Sequence, residues 1–126
     1  MRILWLHADN FKCFKTLHLP EEGVLPEGLI IIEGPNSAGK SSLFDVIYYA
    51  LFYDPQKDKQ LGTKDDLIKR GEIKAFVELA FEIDNRYYLV QKEHGKDIAV
   101  NARLYELDPH AAEQGEGKVL QQICQG

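Results

Sequence analysis

The feature that most limits what this chain can fold into is Gly34-Pro35-Asn36-Ser37-Ala38-Gly39-Lys40-Ser41, set between the apolar run Leu29-Ile30-Ile31-Ile32 and a long apolar-periodic stretch. The run before it is short, largely β-branched and ended by Glu33-Gly34, which suits a strand buried on both faces. After it, Leu43, Val46, Ile47, Ala50 and Leu51 recur at spacings of three and four. That pattern predicts a helix over residues 41–53, stopped near Asp54-Pro55 because a proline disfavours helical geometry at the residue before it. Strand, glycine loop and helix therefore stand in the order G-x-x-x-x-G-K-[ST] requires of a phosphate-cradling loop.

Each position has a physical task. Gly34 and Gly39 allow backbone geometry and close approach that a side chain would block, so successive amides can turn toward phosphate oxygens. The helix start adds unpaired amides and a positive pole. Lys40 is expected against the β- and γ-phosphates, and Ser41 on Mg²⁺. Asn36, Ser37, Ala38 and Ser42 complete the expected cradle for ATP, with the amides of residues 38–42 around the α- and β-phosphates.

The remaining chain supplies a frame and little further chemistry. Residues 2–8 and 13–19 read as strands separated by a turn at Asp9-Asn10, and Pro20 ends the second. Residues 56–71 are mostly polar, with at most one short helical turn around 65–69. Ala75, Val77, Leu79, Phe81 and Ile83 alternate with Phe76, Glu78, Ala80 and Glu82, the period-two mark of a half-buried strand. Residues 86–93 and 98–107 follow as its partners in an antiparallel meander. Residues 108–117 read as a polar loop and 118–124 as the beginning of a helix. Tyr48, Tyr49, Phe52 and Tyr53 read as helix packing.

At 126 residues and 44% hydrophobic content the chain has the size of one globular domain. No apolar run approaches the roughly 18–20 residues that cross a bilayer. Cys13 and Cys124 lie at opposite ends of the chain in no ligand spacing, and His7, His18, His94 and His110 are scattered, so ordinary thiols, a cytoplasmic or nucleoid-associated protein and no metal cluster of histidines are expected. The formal charge of −5 argues against a surface that wraps nucleic acid over most of its area. Lys57, Lys59, Lys64 and Lys96 leave room for local contacts with a phosphate backbone. A complete hydrolase of this class also needs an acid at the end of a continuous apolar strand. Residues 76–84 end in acids but alternate, so hydrolysis by the chain alone is not expected.

Asn10-Phe11-Lys12-Cys13-Phe14, the loop through Ser42, and Ile68-Lys69-Arg70-Gly71 followed by Ala75-Phe76-Val77-Glu78-Leu79 together resemble the N-terminal head lobe of SMC-like ABC ATPases, most closely the SbcC-type DNA double-strand-break repair branch. The resemblance implies an α/β P-loop half-domain, with the P-loop strand and helix packed against an antiparallel β meander. It implies a coiled coil and a C-terminal half-head outside these residues, the latter carrying the signature motif and the second acid. ATP-driven pairing with a second head in a homodimer, DNA as a partner and an associated nuclease are implied in the same way. It also implies that Lys12 reaches the nucleotide phosphates or ribose, and that Ile68, Lys69 and Arg70 lie beside the base and ribose. Gln121, Gln122 and Gln125 fall before the expected nucleotide-sensing loop. A self-contained P-loop kinase or regulator is the alternative from another class, and it would need an acid and an acceptor pocket. A related ATPase of chromosome condensation or phage defence is the alternative within the class; a C-x-x-C hook or a hinge in the coiled coil would separate the two.

Overall fold

The alternating strands find one another in a single antiparallel sheet. The computed structural model describes residues 1–26, 40–54 and 64–125. The expected strand at 29–32, the loop residues Gly34, Asn36, Ser37, Ala38 and Gly39, and Lys57 and Lys59 lie outside the described residues. The strands are β1 (Arg2–Phe11), β2 (Phe14–Leu19), β3 (Lys74–Ile83), β4 (Arg86–Gly95), β5 (Ile98–Leu107) and β6 (Val119–Gln125), and the helices are α1 (Lys40–Phe52), α2 (Lys64–Leu67) and α3 (Pro109–Glu113). The sheet order is β2-β1-β3-β4-β5-β6, with every neighbouring pair antiparallel.

Two cores flank this sheet. On one face Val46, Tyr49 and Ala50 of α1, with Tyr53 just past its end, form a stripe at helical spacing against Leu6, Ala8 and Phe11 of β1 and Ala75, Val77, Leu79 and Phe81 of β3. On the other, Leu4, Ala80, Leu89 and Leu107 pack with Ala112 of α3. A register shift between Ile3 and Trp5 lets β1 serve both cores. The sequence pattern centred the stripe on Val46, Ile47 and Ala50; the structure moves it toward the tyrosines. Tyr49 and Tyr53 are buried while Phe52 is 64% exposed, so helix packing holds for two of the four aromatics expected to supply it, and Tyr48 and Phe52 face outward.

Two expectations are corrected at the C-terminal end. The segment 118–124 is not the beginning of a helix: residues 119–125 form the strand β6, whose Val119, Gln122 and Cys124 pair with Leu107, Tyr105 and Leu104. The apolar spacing of 119, 120 and 123 fits a helix turn, but the edge of β5 supplies an antiparallel ladder along one side of the segment, and that tertiary pairing overrides the local pattern. Gln121, Gln122 and Gln125 thus sit on a strand, and Gln121 Nε2 donates to Glu106 Oε1 at 2.8 Å. The polar loop at 108–117 contains α3, capped by the Asp108 carboxylate, which accepts the Ala111 amide at 2.9 Å, with Pro109 at the first helical position. The first turn also moves: β1 runs through Asp9 and Asn10 to Phe11, and the chain reverses at Lys12-Cys13.

Candidate functional site

Helix α1 begins at Lys40, so Lys40, Ser41 and Ser42 form its first turn, directly after the glycine loop. No acidic residue shares that turn. The positive pole of this 13-residue helix therefore meets no acidic side chain within its own first turn.

The opposite end of α1 is held from below. Lys92, a buried lysine of β4, donates from Nζ to the carbonyl oxygens of Tyr49 and Tyr53 at 3.0 and 2.7 Å. Its ammonium also stands 5.4 Å from the centre of the Tyr49 ring. A cation bonded to the last carbonyls answers the negative pole and fixes the helix on the sheet. Beside it His94, fully buried, links Tyr49 to the Lys64 carbonyl at the start of α2. Burial pushes the His94 pKa down, and burial likewise raises that of the Tyr49 hydroxyl, so both stay neutral and hydrogen-bonded.

A third element closes on the same helix. The β1–β2 turn places Asn10 and Lys12 at φ 55° and 50°, left-handed backbone that a residue with a Cβ adopts only when its neighbours hold it there. They do: the Lys12 amide donates to the Leu67 carbonyl at 2.8 Å, the Lys69 amide donates to the Asn10 carbonyl at 2.7 Å, and Phe11 bridges Ile68. The Lys12 ammonium then reaches α1 and donates to Asp45 Oδ2 at 2.6 Å.

The structure thus brings together Lys12, Ile68 and Lys69 from distant parts of the sequence, at the flank of the helix that Lys40, Ser41 and Ser42 begin. Ile68 is 5% exposed and belongs to the core, so it anchors the segment, while Lys69 is half-buried and Arg70 is exposed in the turn that ends at Gly71. Asp45 is the site residue that motif reading passed over. Its signal was legible: the one carboxylate in the helical stretch, four residues after Ser41. Lys64 lies on α2 and Lys96 is exposed beyond β4. Among the described residues no group of three histidine, cysteine or acidic side chains could hold a metal ion, and no helix is long and apolar enough to cross a membrane.

A family model described as an AAA domain matches residues 6–121, from β1 into β6. The chain belongs to this AAA-domain family. Among characterised relatives, the DNA double-strand break repair Rad50 ATPase of Sulfolobus acidocaldarius is 39% identical over 96 residues, 76% of this chain and 10% of that protein. The Rad50 ATPase of Thermoplasma volcanium is 38% identical over 80 residues, 61% of this chain and 8% of that protein. The SbcC component of the SbcCD nuclease of Deinococcus radiodurans is 38% identical over 82 residues, 64% of this chain and 9% of that protein. The resemblance to the N-terminal region of SbcC-type ATPases is borne out by these relatives. The AAA-domain chain spans about a tenth of the length of the curated relatives it matches.

Proposed function

We propose that this chain is the ATP-binding N-terminal lobe of an SMC-like, SbcC-type ATPase head that works in DNA double-strand-break repair. The observation that carries the reading is the convergence of Lys12 and the 68–69 segment on α1, whose acid-free first turn is Lys40-Ser41-Ser42. Those residues fit a nucleotide with Mg²⁺. Lys40 and the amides around Gly34, Asn36, Ser37, Ala38 and Gly39 would hold the phosphates, Ser41 would hold the cation, and Ser42 would complete the cradle. Lys12 adds a second cation on the flank of the site. Lys69 and Arg70, fixed by the core residue Ile68, offer donors for the ribose or base.

Bound ATP supplies a transferable γ-phosphoryl group; the chain's residues bind and orient it. Hydrolysis then needs the acid and signature residues of a C-terminal half-head, and two heads closing over nucleotide would couple ATP to DNA and to a nuclease partner, in the cytoplasm or on the nucleoid. Nucleotide binding by the full-length protein tests the reading. Lys40→Ala removes binding while the unfolding midpoint stays near wild type; unchanged ATP affinity overturns the assignment. Adding the C-terminal half-head to this chain brings turnover and nucleotide-dependent dimerisation, whereas vigorous turnover by these residues alone points to a self-contained enzyme.

A further inference from the structure

Lys12 is constrained more tightly than a surface lysine need be. Its backbone is left-handed, its amide is spent on Leu67, and the preceding Phe11 is fixed against Ile68. Only the side chain is left to choose a direction, and Asp45 takes it at 2.6 Å. Exposed ion pairs contribute little to stability, and this one retains about a quarter of each side chain's accessibility, 25% and 26%. Stability alone is therefore a poor account of a strained turn aimed at one carboxylate.

The helix gives the pair its meaning. Residues four apart are neighbours on a helix surface, about 6 Å along the axis, so Asp45 lies one turn beyond position 41 on the same face. An ammonium held by Asp45 is thereby held on the Ser41 side of α1. Lysine carries three N–H donors, and one bond to Asp45 leaves others to give. We propose that Asp45 is a positioning residue that aims the Lys12 ammonium at the phosphates of a bound nucleotide. This rests on the nucleotide-site reading above and extends it to a residue no motif includes.

The test is a double-mutant cycle on the full-length protein, titrated with a fluorescent ATP analogue and Mg²⁺ and paired with thermal unfolding of each variant. Asp45→Asn weakens binding about fivefold when Lys12 is present and leaves it unchanged in the Lys12→Ala background, the signature of two groups acting as one. Asp45→Glu keeps the charge and holds affinity to within about twofold of wild type. Equal losses from Asp45→Asn in both backgrounds, or no loss in either, overturn the positioning role. Lys40→Ala separates this failure from that of the larger reading: if it binds like wild type the phosphate site itself is wrong, and if it abolishes binding while the Lys12 and Asp45 effects simply add, only the positioning role falls.

Discussion

The Tyr49 hydroxyl donates to His94 Nδ1 across 2.7 Å, which fixes the imidazole as the tautomer whose Nε2–H donates to the Lys64 carbonyl at 2.7 Å. That tautomer is neutral, and burial holds the His94 pKa below its ordinary 6.5. The unfolded chain therefore takes up a proton near pH 6.5 that the folded chain refuses. Stability is level above that pH and falls as pH drops below it, by at most about 1.4 kcal/mol per pH unit for one proton. Urea unfolding of wild type and His94→Gln between pH 7.5 and 5 checks this. The variant is less stable at neutral pH and has the shallower acid slope; identical slopes would mean that His94 is not the group that titrates.

Lys92→Met keeps most of the side-chain volume and removes the cation from the carbonyls of Tyr49 and Tyr53. Hydrogen bonds to a charged group contribute about 1.5–3 kcal/mol, part of which is offset because the variant no longer buries a charge, so a net loss of about 1–2 kcal/mol is expected. Hydrogen exchange gives the sharper readout. Amides in the last turn of α1 lose protection before those of β3, whereas uniform loss across both would place the effect in the sheet.

Most of this architecture was legible in the residues, for identifiable reasons. The helix after the glycine loop and the three strands from Ala75 to Leu107 follow from periodicity, which burial on one face enforces. The helix α3 was missed: Asp108-Pro109 is a cap followed by a favoured first position, but the polar composition around it reads as loop. The strand β6 was missed as well: Val119, Leu120 and Ile123 satisfy a helical spacing, and only the unpaired edge of β5 decides otherwise. The same limit applies to Asp45 and Lys92. Each is a charged residue whose partner lies far along the chain, and what it answers, a lysine 33 residues away or a carbonyl 43 away, is set by the fold.

Glu78 lies on the face of β3 away from α1, opposite His7 and Gln91 in the ladder. Burial raises its pKa, against the opposing pull of His7, His18 and hydrogen bonds from Trp5 and Gln91. A carboxyl raised on folding binds its proton more tightly in the native state, so its contribution is full below the ordinary 4.5 and is lost as pH rises through the folded value. Glu78→Gln removes that loss. Relative to wild type, the variant gains stability at pH 7 compared with pH 4, and denaturant midpoints at the two values measure it. A constant difference at both would show that the carboxyl titrates alike in the folded and unfolded chain.

Gly115, just past α3, closes the far face by lying against the loop after β2. Its φ is +82°, and a Cβ there would stand 2.5 Å from the Gly23 carbonyl oxygen and 2.9 Å from its carbonyl carbon. Gly23 itself has φ +74° but open space around its Cβ position. The two sites thus separate conformational strain from steric collision. Gly23→Ala carries only the strain of left-handed backbone, about 1 kcal/mol, while Gly115→Ala adds a clash with backbone that cannot swing aside, for about 2–3 kcal/mol in all. Chemical denaturation of both variants tests the difference. Equal losses would show that the two loops part without cost and that the contact between them does not hold α3 to the sheet.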